Sequence, residues 1–443
     1  MQTAFNKLRG SSSAKVGVIG LLILVLLIPV GMILGVIDDR SRVSEESRQE
    51  IMRAWGWQQV IAGPILVLPY EIVRISQYGE RIVDEGMVFL LPEELSIDAE
   101  LVPEIRYRGI HKVPVYTAHT SMKGTFGPPD ISGLGIDNAT VDWGRAYIAL
   151  SITDARPIKN TPEVDMNGTR SPFRSGGTQI AGLAPQITAS LGDYFAGSAR
   201  DEALQFSIDL DVSGTDSLQY MPFGDETKVS IRSSWPSPSF IGNYLPETRE
   251  IDDSGFSATW RVSSLGRSYP SRWTSAEVAL ANSSQSAFGV DFFIPIGLYQ
   301  LTTRATKYAV LFIGLTFVSF FLFEVMAGLR LHPLQYLLVG FANTLFYLLL
   351  LSLAEHIGFA AAYLISTLAS AGLITGYSLS VLGSRARALL VMAILGILYS
   401  FLYLILSAEN YAMLAGSIGL WAALGLVMYL TRRINWFNEV PED

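Results

Sequence analysis

The stretch YQLTTRATKYAVLFIGLTFVSFFLFEVMAGLRLHPLQYLLVGFANTLFYLLLLSLAEHIGF, residues 299–359, carries the chain from a polar region into an apolar one. It holds two apolar runs, 308–329 and 334–353. Each comes close to the ~20 residues a helix needs to cross a ~30 Å hydrocarbon layer. The polar break between them reads Arg330-Leu331-His332-Pro333. Pro333 suits a helix start, where its missing N–H would lack a helical partner in any case. Glu324 stands near the end of the first run, and Glu355-His356 closes the second.

Three more apolar runs follow, 357–382, 388–406 and 411–430, and one precedes, 16–37. The leading run is too long for a signal peptide and lacks a small-x-small cleavage site, so it reads as a retained anchor. The expectation is six spans with both termini on one side. Basic residues accumulate on the cytoplasmic side of membrane proteins. Lys7, Arg9, Lys15, Arg330, Arg385, Arg387, Arg432 and Arg433 all fall on one predicted side, whereas the short loops opposite carry Glu355, His356 and Glu409. Arg40, Arg42, Arg304 and Lys307 count against this orientation, but inverting it misplaces more charges. The predicted layout is a cytoplasmic N-terminus at 1–15, a first span at 16–37, a juxtamembrane amphipathic helix at 38–60 and a periplasmic domain at 61–307. A five-helix bundle at 308–430 and a cytoplasmic tail at 431–443 complete it.

Within 38–60, Ser47 and Glu50 fit a capping box ahead of Ile51. Trp55 and Trp57 suit either the headgroup level or the surface of the following domain. From residue 61 the pattern changes. ILVLPYEIV after Gly63-Pro64 is rich in strand formers, and 106–115, 147–152, 205–212 and 228–232 alternate as half-buried strands do. Turn signals such as Asn167-Gly168 and Ser213-Gly214 separate them. This spacing predicts an antiparallel β-rich domain, a sandwich in form. Residues 171–190, rich in Gly, Ser and Pro, read as a loop.

Half of the residues are hydrophobic and 16% are charged, against about 25% charged in soluble domains. The net charge of −8 runs against nucleic-acid binding, which wants a basic stripe. With no cysteine there are no disulfides, thiolate metal sites or thiol nucleophiles. No serine-hydrolase elbow, P-loop or HExxH is present.

YQLTTRATKYAVLFI (299–313), RLHPLQYLLVG (330–340) and FYLLLLSLAEHIGF (346–359) resemble segments of the CreD family of bacterial inner-membrane proteins. So do Gly63-Pro64 with Pro69-Tyr70, the segment SWPSPSF (234–240), and Ser254-Gly255-Phe256 with Trp260. The resemblance runs in order through nearly the whole chain. Ser237 and Thr303 depart from it, since the family often has His and Asp there. It implies the inner membrane, a periplasmic domain and a part in envelope integrity and stress response. It supplies no catalytic residue.

Glu324 is the sharpest candidate for chemistry. An ionised carboxylate in an apolar run costs several kcal/mol unless it faces a bundle interior or a partner. It could handle a proton or cation with His332, or form a structural ion pair with Arg330 or His332; its place near the run's end favours the pair. Proton-coupled transporters usually show chains of polar groups and broken helices, and spans three to six carry no ionisable residue well inside them. Arg330 and His332 also read as a lipid-phosphate or partner contact, against a plain topology anchor. Glu355 and His356 form either a pH-sensing pair or a polar cap. Arg304 and Lys307 either bind outer-leaflet phosphates or pair with Glu355.

In the outer region, Trp235 and Phe240 stand among Pro236 and Pro238. They suit an exposed recognition loop or a buried domain corner, the latter because aromatics mostly supply core area. His111 and His119 would lie ~26 Å apart on one strand, too far for a shared metal. Small residues at Ala362, Ser366, Ser370, Gly372 and Gly376, and at Ala415, Gly419 and Ala423, let helices approach within one chain or between copies. The expectation is a non-enzymatic envelope-integrity factor without cofactor or metal. Its partners would be the bilayer and an envelope protein, a lipid or a wall component. The alternative is a transporter or channel for a lipid or small ion using Glu324.

Overall fold

The computed structural model describes residues 12–75, 77–78, 80–136, 138–177, 179–197, 200–277, 280, 283–292, 297–326, 329, 331–408 and 412–432. They form two compact units, Met1–Glu45 with Pro295–Asp443, and Glu46–Ile294.

Eight α-helices are described: α1 (Ser12–Trp55), α2 (Gly192–Gly197), α3 (Leu298–Lys307), α4 (Ala309–Met326), α5 (Pro333–Ile357), α6 (Phe359–Leu382), α7 (Arg385–Ser407) and α8 (Ala412–Thr431). The separate juxtamembrane helix expected at 38–60 is absent. Instead α1 continues without a break to Trp55, and a strand begins at Gln59. Residues 38–55 hold no Gly or Pro, so the local capping box at Ser47 has nothing to interrupt. Gly56, at φ +125°, ends the helix; a Cβ there would meet Pro157 Cγ at 2.7 Å and the Ser213 carbonyl at 2.8 Å.

Four of these helices are long and apolar enough to cross a membrane, or five if the bent pair α3–α4 counts as one span. The bend between α3 and α4 is 41°. A shorter apolar helix, Met413–Tyr429, follows them. In place of a span opening at 308, a helix already starts at Leu298 and breaks at Tyr308. Pro333 does begin α5, with His332 as its N-cap and a capping box closed by Gln335. One core ties the bundle together, drawing on Leu26 and Val30 of α1, Phe317 of α4, Phe346 of α5, Ile374 of α6 and Tyr399 of α7. Gly340 lets α1 come close, since a Cβ there would lie 2.1 Å from Leu26 Cδ1. The GxxxG pair Gly372 and Gly376 faces open space.

The Glu46–Ile294 unit is built on two sheets of ten and eight strands. The first runs Pro238–Gly242, Phe288–Phe292, Ser217–Tyr220, Gln59–Ile75, Tyr147–Ile152, Gln186–Ser190 and Arg174–Ser175 in order across it. Its long strand Gln59–Ile75 is buried over most of its length, as its unbroken apolar run requires of a central strand. Gly63-Pro64 sits at a bulge, where the register to Tyr147–Ile152 shifts between Ala62 and Ile65, a position that tolerates the missing N–H. The second sheet runs Thr248–Asp252, Gly255–Ser263, Glu226–Ser233, Glu94–Arg108, His111–Phe126, Leu204–Thr215, Glu163–Met166 and Thr169–Pro172.

Pairing is mostly antiparallel. Two pairs are parallel, Gln59–Ile61 with Leu218–Tyr220, and Glu226–Ser233 with Glu94–Leu101. The segment 106–115, expected as one strand, is a hairpin turning at Gly109, whose φ is +58°. The 171–190 loop contributes strands at both ends. Buried side chains of both sheets join in one core, and Tyr116 and Tyr220 link them by donating to or sharing bonds with the Ser217 carbonyl and Thr120.

Candidate functional site

Glu324 lies in the last turn of α4 and is 4% exposed. Its Oε1 accepts from Lys15 Nζ at 2.5 Å and from the Leu331 N–H at 3.2 Å. Its Oε2 accepts from the Tyr336 hydroxyl at 2.9 Å. Three segments thus converge on one carboxylate: the start of α1, the α4–α5 hinge and the first turn of α5. Tyr336 is itself held edge-on against Phe317, with ring centroids 5.5 Å apart. A carboxylate removed from water loses several kcal/mol of solvation, which only a close counter-charge and further donors offset. Lys15 stays about a third exposed, so its stem bridges from wetter surroundings to the buried acid.

The partner is therefore Lys15, where sequence reasoning considered Arg330 and His332. His332 serves α5 instead: its Nδ1 accepts from the Leu334 N–H at 3.2 Å, and its own N–H donates to Gln335 Oε1 at 2.9 Å. Arg330 lies outside the described residues. A signal for Lys15 was present. In antiparallel neighbouring spans the start of one and the end of the next share an end of the bundle, and Lys15 directly precedes the first apolar run.

At the other end of α5, Glu355 Oε1 accepts from the Tyr299 hydroxyl at 3.0 Å, and His356 Nδ1 lies 3.0 Å from the Ser352 carbonyl. Arg304 and Lys307 occupy the last turn of α3, where cations suit the helix dipole; neither forms an ion pair with Glu355 among the described residues.

In the β unit, the segment expected as an exposed loop includes the strand Pro238–Gly242, paired to Phe288–Phe292. Phe240 is half-buried, edge-on to Phe256 and Trp260 at 5.9 and 5.6 Å. Trp235 is half-buried against Phe292 at 5.7 Å, and its indole N–H donates to the Ser237 carbonyl at 3.1 Å. These contacts are those of a packed corner. Trp55 likewise packs within this unit, with Arg106 and Lys159 over its ring at 4.3 and 4.9 Å.

His111 and His119 share the strand His111–Phe126, and His119 Nδ1 lies 2.8 Å from Asp211 Oδ1. Among the described residues no group of three or more His, Cys, Asp or Glu is placed to hold a metal ion. Sequence reasoning passed over Arg48, whose Nη2 donates to the buried Asp216 at 2.5 Å. Burial, then the Asp216 charge, raises the pKa of neighbouring Asp291.

Apolar helices on both sides of a long β-rich insert, with a part-buried ion pair joining the first helix to the rest, define a polytopic membrane protein with one large β domain. Residues 11–437 match the family described as inner membrane protein CreD. The chain is also 34% identical over 419 residues to the inner membrane protein CreD of Escherichia coli (strain K12), covering 94% of this chain and 91% of that protein. This chain belongs to the CreD family, and it is a multi-pass protein of the inner membrane.

Proposed function

We propose that this protein is a six-span, non-enzymatic envelope-integrity factor of the stress response. Both termini lie in the cytoplasm and residues 38–307 in the periplasm, where the β domain binds an envelope component and the bundle anchors it. The observation that carries the reading is the Glu46–Ile294 unit. It is a two-sheet body with its own continuous core, far larger than a connection between spans needs to be.

Because the chain has no cysteine, single introduced cysteines report topology cleanly. Asp253→Cys should react with a membrane-impermeant thiol reagent in spheroplasts, and Arg385→Cys only after permeabilisation; the opposite pattern overturns the placement. A chain lacking 61–294 should insert but fail to restore resistance of deficient cells to detergent and wall-directed antibiotics. Full restoration by the bundle alone overturns the binding role.

A second reading, transport of a lipid or small ion, draws on the burial of Glu324 beside Tyr336. It requires Glu324→Gln to abolish flux in proteoliposomes at unchanged protein level.

A further inference from the structure

The outer face of the eight-stranded sheet carries an open, shallow groove of about 650 Å³. Its floor is a register row. Arg261 pairs with Lys228, Lys228 with Ser96, Ser96 with Lys123, and Lys123 with Ser207. Register neighbours share a face, so the short Ser96 forms a notch between two long cations. Two lysines separated by one strand stand ~10 Å apart at Cα, since strands are spaced by ~4.8 Å, and both ammonium groups can turn toward an anion above the serine. The next row on the same face, two residues along, begins with the carboxylates of Glu226 and Glu94 side by side and continues with Thr125 and Gln205.

Lys123, Lys228, Glu94 and Glu226 are all exposed, and among the described residues none of the four forms an ion pair. Exposed pairs gain only about 0–1 kcal/mol, so leaving these charges free costs the fold little. Gly124, between the two rows, admits no side chain, since a Cβ would lie 2.0 Å from the Glu94 carbonyl. Glycine inside a strand marks a bend or a close approach of backbone.

We propose that this groove binds an amphoteric, hydroxyl-rich glycopeptide of the kind a cell wall offers, with carboxylates over the lysine row and ammonium groups over the glutamate row. The two charge rows set this complementarity, and the hydroxyl and amide groups of Ser96, Ser207, Thr125 and Gln205 suit sugar and peptide polar groups. A protein partner would want aromatic or aliphatic anchors and a lipid surface an apolar face; the outward side chains named here offer neither. The proposal rests on the periplasmic placement of the domain given above.

The test uses the full chain in detergent and soluble muropeptides released from purified sacculi by a muramidase, with binding read by calorimetry. Lys123→Glu with Lys228→Glu should weaken binding at least tenfold, and muropeptides with amidated carboxyls should bind the wild type as weakly. Glu94→Gln with Glu226→Gln should abolish discrimination against amine-acetylated muropeptides. Unchanged circular dichroism and thermal midpoint certify that each variant is folded. Equal affinity of wild type and both variants, or no binding by the wild type, overturns the proposal. If the introduced cysteines still place the domain outside and the bundle alone still fails to restore resistance, a null binding result removes the groove and leaves the broader reading standing. Inverted labelling removes both.

Discussion

On the eight-stranded sheet, charges recur along the outer face and several pair there, Arg232 with Glu100 at 3.1 Å and Arg106 with Glu104 at 2.6 Å among them. Among the described residues of the bundle, one carboxylate is buried, and it takes its cation from a residue 309 positions earlier in the chain. The sheet pairs lie in water, where geometry is loose and the gain is small. The bundle pair lies where the carboxylate without its cation is expensive. The same chemistry, a carboxylate and a cation, decorates the outer face of this sheet and fixes helix position in the bundle. Core residues differ in the same sense. Burying Trp260 removes apolar area from water, whereas burying Phe346 in the bundle exchanges lipid for protein and gains mainly packing.

That contrast sets the largest expected effect. Trp260 is 0% exposed, lies 5.6 and 5.7 Å from Phe240 and Phe288, and donates its indole N–H to the Tyr244 carbonyl at 3.1 Å. Trp260→Ala should destabilise the β unit by about 3–5 kcal/mol, the usual cost of an aromatic truncated in a core. Phe346→Ala, also at 0% exposure and 4.6 Å from Tyr399, should cost the bundle clearly less. Chemical unfolding of the full chain in detergent, followed by β-sheet and helix circular dichroism, measures both. Equal losses would break the comparison.

The helices of the second half were legible because an apolar run of about 20 residues has few other meanings, and Pro333 marked a helix start that the structure uses, with His332 as the N-cap that the sequence did not announce. Strand alternation gave the β class of the insert. Strand order was not legible, because parallel partners such as Glu226–Ser233 and Glu94–Leu101 lie more than a hundred residues apart and nothing local encodes the match. Gly109 was visible, yet the alternation on both sides of it let a hairpin pass for one strand. The sequence around Trp235 and Phe240 suits a recognition loop or a corner; the choice depends on Phe256, Trp260 and Phe292, which pack against them. For Glu324, burial was legible from its apolar neighbours, but Lys15 as partner depends on which helix ends meet. Gly340, pressed by Leu26, carried no spacing signal, whereas the GxxxG at Gly372 and Gly376 carried one and meets none of the described residues within 4 Å of an added Cβ.

The Lys15–Glu324 contact yields the next effect. Lys15→Met leaves a buried carboxylate without its cation, and Glu324→Leu leaves Lys15 with an escape to solvent, so the first should destabilise the bundle more. The double variant should recover part of the loss, with a coupling of about 1–3 kcal/mol. Thermal unfolding in detergent reads the cycle. Additive losses would mean that the pair does not hold α1 to α4 energetically. A coupling as small as that of a surface pair would erase the distinction drawn between the two units.

The smallest effect tests the other side of the comparison, a carboxylate of the β unit. Asp154 accepts from Arg156 Nε and Nη2 at 2.8 and 2.7 Å and from the Arg156 backbone N–H at 3.1 Å. The Arg156 side-chain hydrogen bonds hold its pKa below the ordinary 3.8, outweighing its partial burial. A carboxylate with a folded-state pKa below the unfolded value contributes stability that is fully present above the unfolded pKa and is lost as pH falls through the folded one. The β unit should therefore lose a small increment between about pH 4 and the depressed value, and Asp154→Asn should flatten that part of the profile while changing little at pH 7. The increment is small because the Arg156 side chain is 68% exposed, so water and salt screen the pair. Raising the salt concentration should shrink it further. If the pH dependence of Asp154→Asn below pH 4 instead matches the wild type, this carboxylate contributes nothing measurable, although it is itself only 7% exposed.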